Sequence, residues 1–483
     1  MSIQSAPAIA TNRFGLGARQ GELARIDAPR DWLRQQLLGG PPLLDALELK
    51  TAADVISGAG ELARNAREMG ENGREQLQQR AADASDADAA RQARQQLVAN
   101  RLPRYFAPIY QADAVARVRN AITTDRPFLE RLVQFWSNHF AVSVDKVAVL
   151  GLAGCMEREA IRPHVLGHFE DLLLAVEKHP AMLMFLDNQL SVGPDSMLAD
   201  LARRRQRQLG LNENLAREIL ELHTLGVDGG YSQADVTSFA RVITGWSLGG
   251  LPNQPARMQD DAAPGQFVFR PGVHEPGTQT VTGRRYPQSG VAQGEAVLHD
   301  LALAPQTARH IATKLARHFI ADDPPHAAVE RLAQAYLKSG GYLPAVYAAL
   351  IDSPEAWAGD AAKYKTPNDY LVSVFRGLDV PLAQPQQASN TLNMLGQQQF
   401  RPGSPAGWPD RSADWDGSAA LMKRIELANT LGQRMGNNRN AAELAPQLLG
   451  ATLAGATVTA IARAESGAQA LTLLLTAPEF MRR

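Results

Sequence analysis

The chain has 483 residues, a 45% apolar fraction and a formal charge of −1, so it is long enough for several domains of about 150 residues and can bury a sizeable core. Its 49 basic and 50 acidic side chains argue against a general nucleic-acid binder, which carries a strong basic excess. A single cysteine, Cys155, excludes an internal disulfide framework and a cysteine-rich zinc module.

The first residues, Met1-Ser2-Ile3-Gln4-Ser5-Ala6, lack a basic head followed by an apolar run, so the sequence as it stands reads as cytoplasmic, without a signal peptide. No stretch approaches the roughly 18 uninterrupted apolar residues of a membrane helix, and no membrane insertion is expected. Residues 1–104 read as an N-terminal helical segment. Within it, 61–97 carries few large apolar side chains and both signs of charge, the pattern of an exposed, loosely packed arm with a break near Ala81 to Asp88. Residues 105–250 read as a central helical core: Leu132, Phe135, Trp136 and His139 recur at helical spacing, as do Leu172, Leu173, Val176 and Leu183. Asn212 to Leu225 is a further helix, and Ser232-Gln233-Ala234-Asp235 is a capping box for the next. Residues 251–290 are rich in Gly and Pro, with Phe267-Val268-Phe269 and Thr280-Val281-Thr282 as short strands of a hairpin or long loop. Residues 291–483 return to helical patterning, broken by a loop-rich stretch from Pro385 to Trp415. The expected fold class is all-α, a large helical assembly with a small β-hairpin insertion around 251–290.

Chemistry-bearing residues concentrate in the helix from Asn212. At about 100° per residue, Asn214, Glu218 and Glu221 share one stripe with Arg217 beside it, while Leu215, Ile219, Leu222 and then His223 turn to the apolar side. Glutamates three apart on one face repel unless a cation, an arginine or a proton lies between them. Three functional readings follow. A divalent metal can sit between Glu218 and Glu221 with His139 and His223 as further ligands, as inward carboxylates hold metals in helical bundles. The pair can share a proton and act as acid and base. It can also anchor a cationic ligand. The bland reading is a buried ion network with Arg158, Arg162, Arg217 or Arg241. His139 lies on an apolar stripe, where a hydrogen-bonded core histidine is the commoner outcome. His274, on the glycine-rich loop, is placed to act as a lid residue over the seam. Arg217, Arg241 and Asn214 are the candidate substrate-binding groups. A GxGxxG turn, a phosphate-binding loop and a GxSxG elbow are all missing.

Several stretches resemble the bacterial domain-of-unknown-function family number eighteen hundred. They are Asn12-Arg13-Phe14-Gly15-Leu16-Gly17, Phe135-Trp136-Ser137-Asn138-His139-Phe140, Glu157 through Pro163, Leu211 through Gly226, Thr244-Gly245-Trp246, the His274 loop and Gly407-Trp408-Pro409. The resemblance spans essentially the whole chain. It implies no reaction, since the family has none assigned. It implies a bacterial protein, often of exported appearance, with a protein of a neighbouring sulfatase-like uncharacterised family as a candidate partner. Two residues depart from the family's pattern: Glu275 follows the histidine where Asp is usual, and Gln279 stands where a lysine is usual.

The expectation is therefore a helical enzyme with a carboxylate/histidine site, hydrolytic or oxidative, with Glu218, Glu221 and His274 as catalytic groups and a divalent metal on His139, His223, Glu218 and Glu221. The alternative is a non-catalytic helical scaffold that binds a partner protein or polymer. A pocket lined by these side chains favours the first, and a seam filled with arginine–glutamate pairs favours the second.

Overall fold

The computed structural model describes residues 6–44, 48–78, 86–207, 209–250, 262–359, 363–380 and 385–483, and gives side chains within these except at 66–100 and 385. Helices carry nearly all the regular structure. The described strands are four, of three residues each, in two antiparallel pairs. The all-α expectation holds. No described helix is long and apolar enough to cross a membrane.

Prolines and side-chain caps set many of the helix starts. Helix α1 (Ala52–Gln78) and helix α2 (Asp86–Thr123) bracket residues 79–85. The expected break of the arm falls largely on those residues, which lie outside the described ones, as do the side chains of most of 61–97. Helix α3 (Pro127–His139) opens on a proline, whose missing N–H is no loss in a first turn. Helix α4 (Phe169–Glu177) follows, then α5 (Asn214–Glu218), which continues into a wide turn over Ile219–His223. The capping box at Ser232 and Asp235 is formed as read from the sequence, and starts α6 (Gln233–Val242). Strands β1 (Trp246–Leu248) and β2 (Phe267–Phe269) pair with Ser247 opposite Val268. Strands β3 (Gln279–Val281) and β4 (Arg284–Tyr286) form a hairpin. Its two loop residues, Thr282 and Gly283, have φ of 48° and 78°, the paired positive values that fit the right-handed twist of the strands. Helix α7 (Pro305–Phe319) and helix α8 (Pro367–Leu378) each begin with proline, and Thr366 caps α8 by accepting from the Asp369 N–H at 3.1 Å.

Two large apolar cores result among the described residues, beside a small cluster of Val192, Ala199 and Val273. The larger gathers side chains from Ile9 to Trp357, with Phe128, Leu132, Trp136, Phe169 and Tyr336 deep inside. The smaller is built mainly from 364–481, including Tyr370, Phe375, Leu448 and Leu474, and takes in Leu16, Val118 and Ile122 from the first part of the chain. The Asn12–Gly17 motif stitches the two. Phe14 packs edge-on against Phe128 at 5.7 Å in the first core, while Leu16 is buried in the second. Arg131 donates to the Gly15 carbonyl at 2.6 Å and Arg376 to that of Gly17 at 3.0 Å. Gly17 has φ +98°, and a Cβ there would stand 2.7 Å from that of Ser373, so this crossing requires glycine.

Three helical stretches contain wide, π-type turns: Ala10–Phe14, Glu157–Ile161 and Ile219–His223. The first two close with i→i+5 bonds, Gly15 N–H to Ala10 and Arg162 N–H to Glu157, each at 2.9 Å. In the third, the Thr224 hydroxyl donates to the Ile219 carbonyl at 2.6 Å. Such turns recur at functional sites because they re-aim side chains within a helix.

Candidate functional site

The wide turn corrects the helical wheel drawn for Asn212 to Leu225. Leu215, Ile219 and His223, four apart, are buried together with Ala216 and Leu220, whereas Leu222 is only half-buried. An ordinary α-helix would let that spacing drift around the axis; the extra residue in the turn keeps it on one face. His223 is thereby delivered to Glu177, at the end of α4, and its Nδ1–H donates to Glu177 Oε1 at 2.7 Å. His139, ending α3, donates from Nε2 to the His223 carbonyl at 3.1 Å. His310 does the same to the Leu222 carbonyl at 3.0 Å. A carbonyl only accepts, so His139 and His310 carry hydrogen on Nε2 and keep a lone pair on Nδ1. The rings of His223 and His310 each lie 6.1 Å from that of His139.

The expected seam residues are thus partly gathered. His139 and His223 come together. Glu218 is half-buried and makes no hydrogen bond among the described residues; burial raises its carboxyl, His223 opposes that and Glu221 adds to it. Glu221 accepts from the Tyr231 hydroxyl at 3.3 Å. Arg217 turns to Glu213 at 3.1 Å and to Gln233 at 2.9 Å, and Asn214 is exposed at the start of α5. Arg241 lies 4.0 Å from Glu275. His274 donates from Nδ1 to the Thr244 carbonyl at 2.9 Å and packs on Phe269, so its hydrogen bonding is to the end of α6 and not to the two glutamates.

The four arginines proposed as partners for Glu218 and Glu221 all pair elsewhere. Arg158 takes Asp113, and Arg162 takes Glu130 and Glu157, while Arg217 and Arg241 pair as above. With the partly buried Arg117 on Glu157 at 2.6 Å, the fully buried Arg162 holds the Glu157 carboxyl down to about 2, although burial alone works to raise it. Of the four expected metal ligands, His139 Nε2, His223 Nδ1 and Glu221 are bonded within the protein, while His139 Nδ1, His223 Nε2 and Glu218 have no partner among the described residues. Among the described residues no three His, Cys, Asp or Glu side chains converge as a metal site.

The open site lies beside this seam, where the two cores meet. A cleft of about 460 Å³ is lined by His139 from α3, Lys314 and His318 from α7, and the loop Gly407-Trp408-Pro409-Asp410. Two motifs far apart in sequence make its wall. The Asn138 amide donates to the Trp408 carbonyl at 2.9 Å and accepts from the Trp408 N–H at 2.7 Å. Gly407, at φ +84°, lets the loop approach so closely that a Cβ there would lie 2.3 Å from the Asn138 carbonyl oxygen.

Asp410 orients His318, whose Nδ1 lies 3.1 Å from Asp410 Oδ2. Burial would raise the Asp410 carboxyl, but His318, Lys363 and Arg483 hold it well below the usual range, so it is ionised and His318 Nδ1 is the donor. That leaves a lone pair on His318 Nε2, which has no partner. His139 Nδ1 has none either. Burial lowers both imidazoles, so both are neutral near pH 7. Lys314 makes no hydrogen bond or ion pair among the described residues. Burial lowers its ammonium to about 8; Asp410 opposes this and Arg317 adds to it.

A family model described as "Protein of unknown function (DUF1800)" matches residues 9–482. The chain belongs to this family. No curated protein and no solved structure matches it. The family's description assigns no reaction, so the chemistry has to be read from the cleft. The residues missed in the sequence were Glu177, Lys314, His318 and Asp410. A signal existed for two of them: His310, Lys314, Arg317 and His318 follow one another at four, three and one residues, a polar stripe beside the buried face of α7 formed by Ala308, Ile311, Ala312, Leu315 and Phe319.

Proposed function

We propose that the cleft between the two cores is an active site, and that Lys314, His139 and the Asp410–His318 pair perform acid–base chemistry there on a small polar substrate. One observation carries the reading: two buried imidazole nitrogens without partners, His139 Nδ1 and His318 Nε2, and the half-buried Lys314, which makes no hydrogen bond or ion pair among the described residues, belong to side chains that line one cleft. Buried polar atoms are normally satisfied, and several left free on one concave surface favour a ligand. The roles follow from protonation. His318 Nε2, steadied by Asp410, accepts a proton, and Lys314, close to half-protonated at mildly alkaline pH, donates or accepts one.

A non-catalytic scaffold would leave its polar groups paired off, as they are around Arg162, and the cleft departs from that pattern. The metal-dependent version has weaker support, because its four residues do not converge as a metal site among the described residues. The test is consumption of compounds from a bacterial metabolite extract, followed by untargeted mass spectrometry. The expected result is a depleted compound whose loss requires Lys314 and His318: Lys314→Met and His318→Ala abolish it while unfolding temperature and circular dichroism stay close to wild type. Persistence of the consumption in both variants would overturn the assignment. Persistence after dialysis against a chelator, together with elemental analysis, separates the acid–base version from the metal one.

A further inference from the structure

Only eight of the 49 basic residues are lysines, and six of them are paired, stacked or exposed. Lys146 pairs with Asp187 at 2.6 Å, Lys178 with Glu295 at 2.5 Å and Lys363 with Asp322 at 2.7 Å. Lys50 lies over the Tyr105 ring. Lys338 and Lys423 are exposed. Two remain. Lys365 has no hydrogen-bond partner among the described residues and burial lowers its ammonium to about 7, but it is fully buried over the Phe480 ring and is not part of the cleft lining. Lys314 is half-buried, lines the cleft, and has neither an acid nor a carbonyl acceptor among the described residues.

We propose that Lys314 is an amine nucleophile that forms an imine with a small carbonyl compound bearing a carboxylate. This rests on the reading of the cleft as an active site and names its substrate class. Attack needs the neutral amine. The groups around Lys314 favour it: His139 and His310 are neutral, Arg317 adds positive charge, and Asp410 is occupied by His318 and Lys363. An ammonium at about 8 gives a free-amine fraction at pH 7 roughly two hundredfold above that of an ordinary lysine.

The reaction balances without a redox partner. The Lys314 nitrogen pair bonds to the carbonyl carbon, and the carbonyl pair moves to oxygen, giving a carbinolamine after proton transfer. His318 Nε2 takes the proton that nitrogen loses and returns it to the departing hydroxyl, so amine and carbonyl become imine and water. The cleft also favours an anionic carbonyl compound. Arg317 spends its Nε on the Asp322 carbonyl at 3.1 Å, and Arg411 spends one nitrogen on Asp323 at 3.3 Å; both line the cleft with donors to spare. Its volume of about 460 Å³ suits a small ligand.

The test needs no knowledge of the natural substrate. The full chain is incubated with glyoxylate or pyruvate and sodium cyanoborohydride, which reduces imines to stable secondary amines. Label at each lysine is then followed by peptide mass spectrometry. Lys314 is expected to label about tenfold or more faster than the exposed Lys338 and Lys423, with a rate that climbs as pH rises toward 8. Lys314→Arg, which keeps the charge, should lose the fast label and leave the other lysines unchanged. Labelling of Lys314 no faster than Lys338 overturns the proposal in the wild-type chain itself, whatever the variant does. Propanal labelling Lys314 as fast as glyoxylate overturns the carboxylate preference. If Lys314 fails to label while metabolite consumption still requires it, the imine falls and the acid–base assignment stands.

Discussion

Substituting Gly407 by alanine tests whether the Trp408 loop is held to α3 as described. At φ +84° an L-residue is strained, and the new Cβ would stand 2.3 Å from the Asn138 carbonyl oxygen and 2.8 Å from its side-chain oxygen. That carbonyl sits near the end of a helix buried in the larger core, so the loop has to give way. Lifting it breaks both Asn138–Trp408 hydrogen bonds, of 2.9 and 2.7 Å. The left-handed backbone costs about 1–2 kcal/mol and each lost bond about 1 kcal/mol, so Gly407→Ala should destabilise by about 3–4 kcal/mol. Asn138→Ala removes the same two bonds without the clash and should cost about 2 kcal/mol. Urea unfolding followed by tryptophan fluorescence reads both. Because the moving loop carries Asp410 away from His318, Gly407→Ala should also slow the trapping of Lys314. A Gly407→Ala protein with wild-type stability and labelling would refute the account of the cleft wall.

Two further substitutions probe the groups beneath and beside the cleft. Asp369 is buried between Arg131 and Arg483, at 3.3 and 3.1 Å, so Asp369→Asn leaves two buried guanidinium groups underpaired and should cost about 3–5 kcal/mol in urea unfolding. Burial opposes ionisation of Asp369, but the two arginines hold its carboxyl well below the unfolded value of about 3.9; the gap between wild type and variant should be full above about pH 4 and narrow as pH falls below it. Glu218 has the opposite sign. Burial raises its carboxyl, so ionising it costs more in the folded than in the unfolded chain, and Glu218→Gln should leave stability unchanged or raise it slightly. A large loss of stability, or of a bound divalent ion by elemental analysis, would point back to the metal seam.

Much of the fold was legible in the sequence because its signals are local. The capping box at Ser232 and the strand at Phe267–Phe269 declare themselves within a few residues. Strand β1, at Trp246–Leu248, gave no such sign, since three buried residues after a helix show no alternation. The site was harder to read. His139 and Gly407-Trp408-Pro409 were both singled out, but nothing in either segment says that Asn138 clamps Trp408 across 270 residues of chain. His223 was recognised and its partner was not, because Glu177 follows a run of leucine, alanine and valine and reads as the solvent end of a core helix. The carboxylate pair looked like the centre because a regular helix was assumed. The wide turn at Ile219–His223 commits the histidine to Glu177 and leaves Glu218 and Glu221 off the cleft lining.

Those wide turns also bear on how the chain tolerates changes of length. Deleting one residue from Ile219–His223 would let the backbone close with ordinary i→i+4 bonds, so the helix by itself would lose little. The same deletion would rotate everything after it by about 100°, parting His223 from Glu177 and pulling its carbonyl from His139. At Glu157–Ile161, one residue fewer would swing Arg162 out of the pocket formed by Glu130 and Glu157. In these segments residue count is as binding as residue identity: a shortened motif could keep every named side chain and still deliver them to the wrong place.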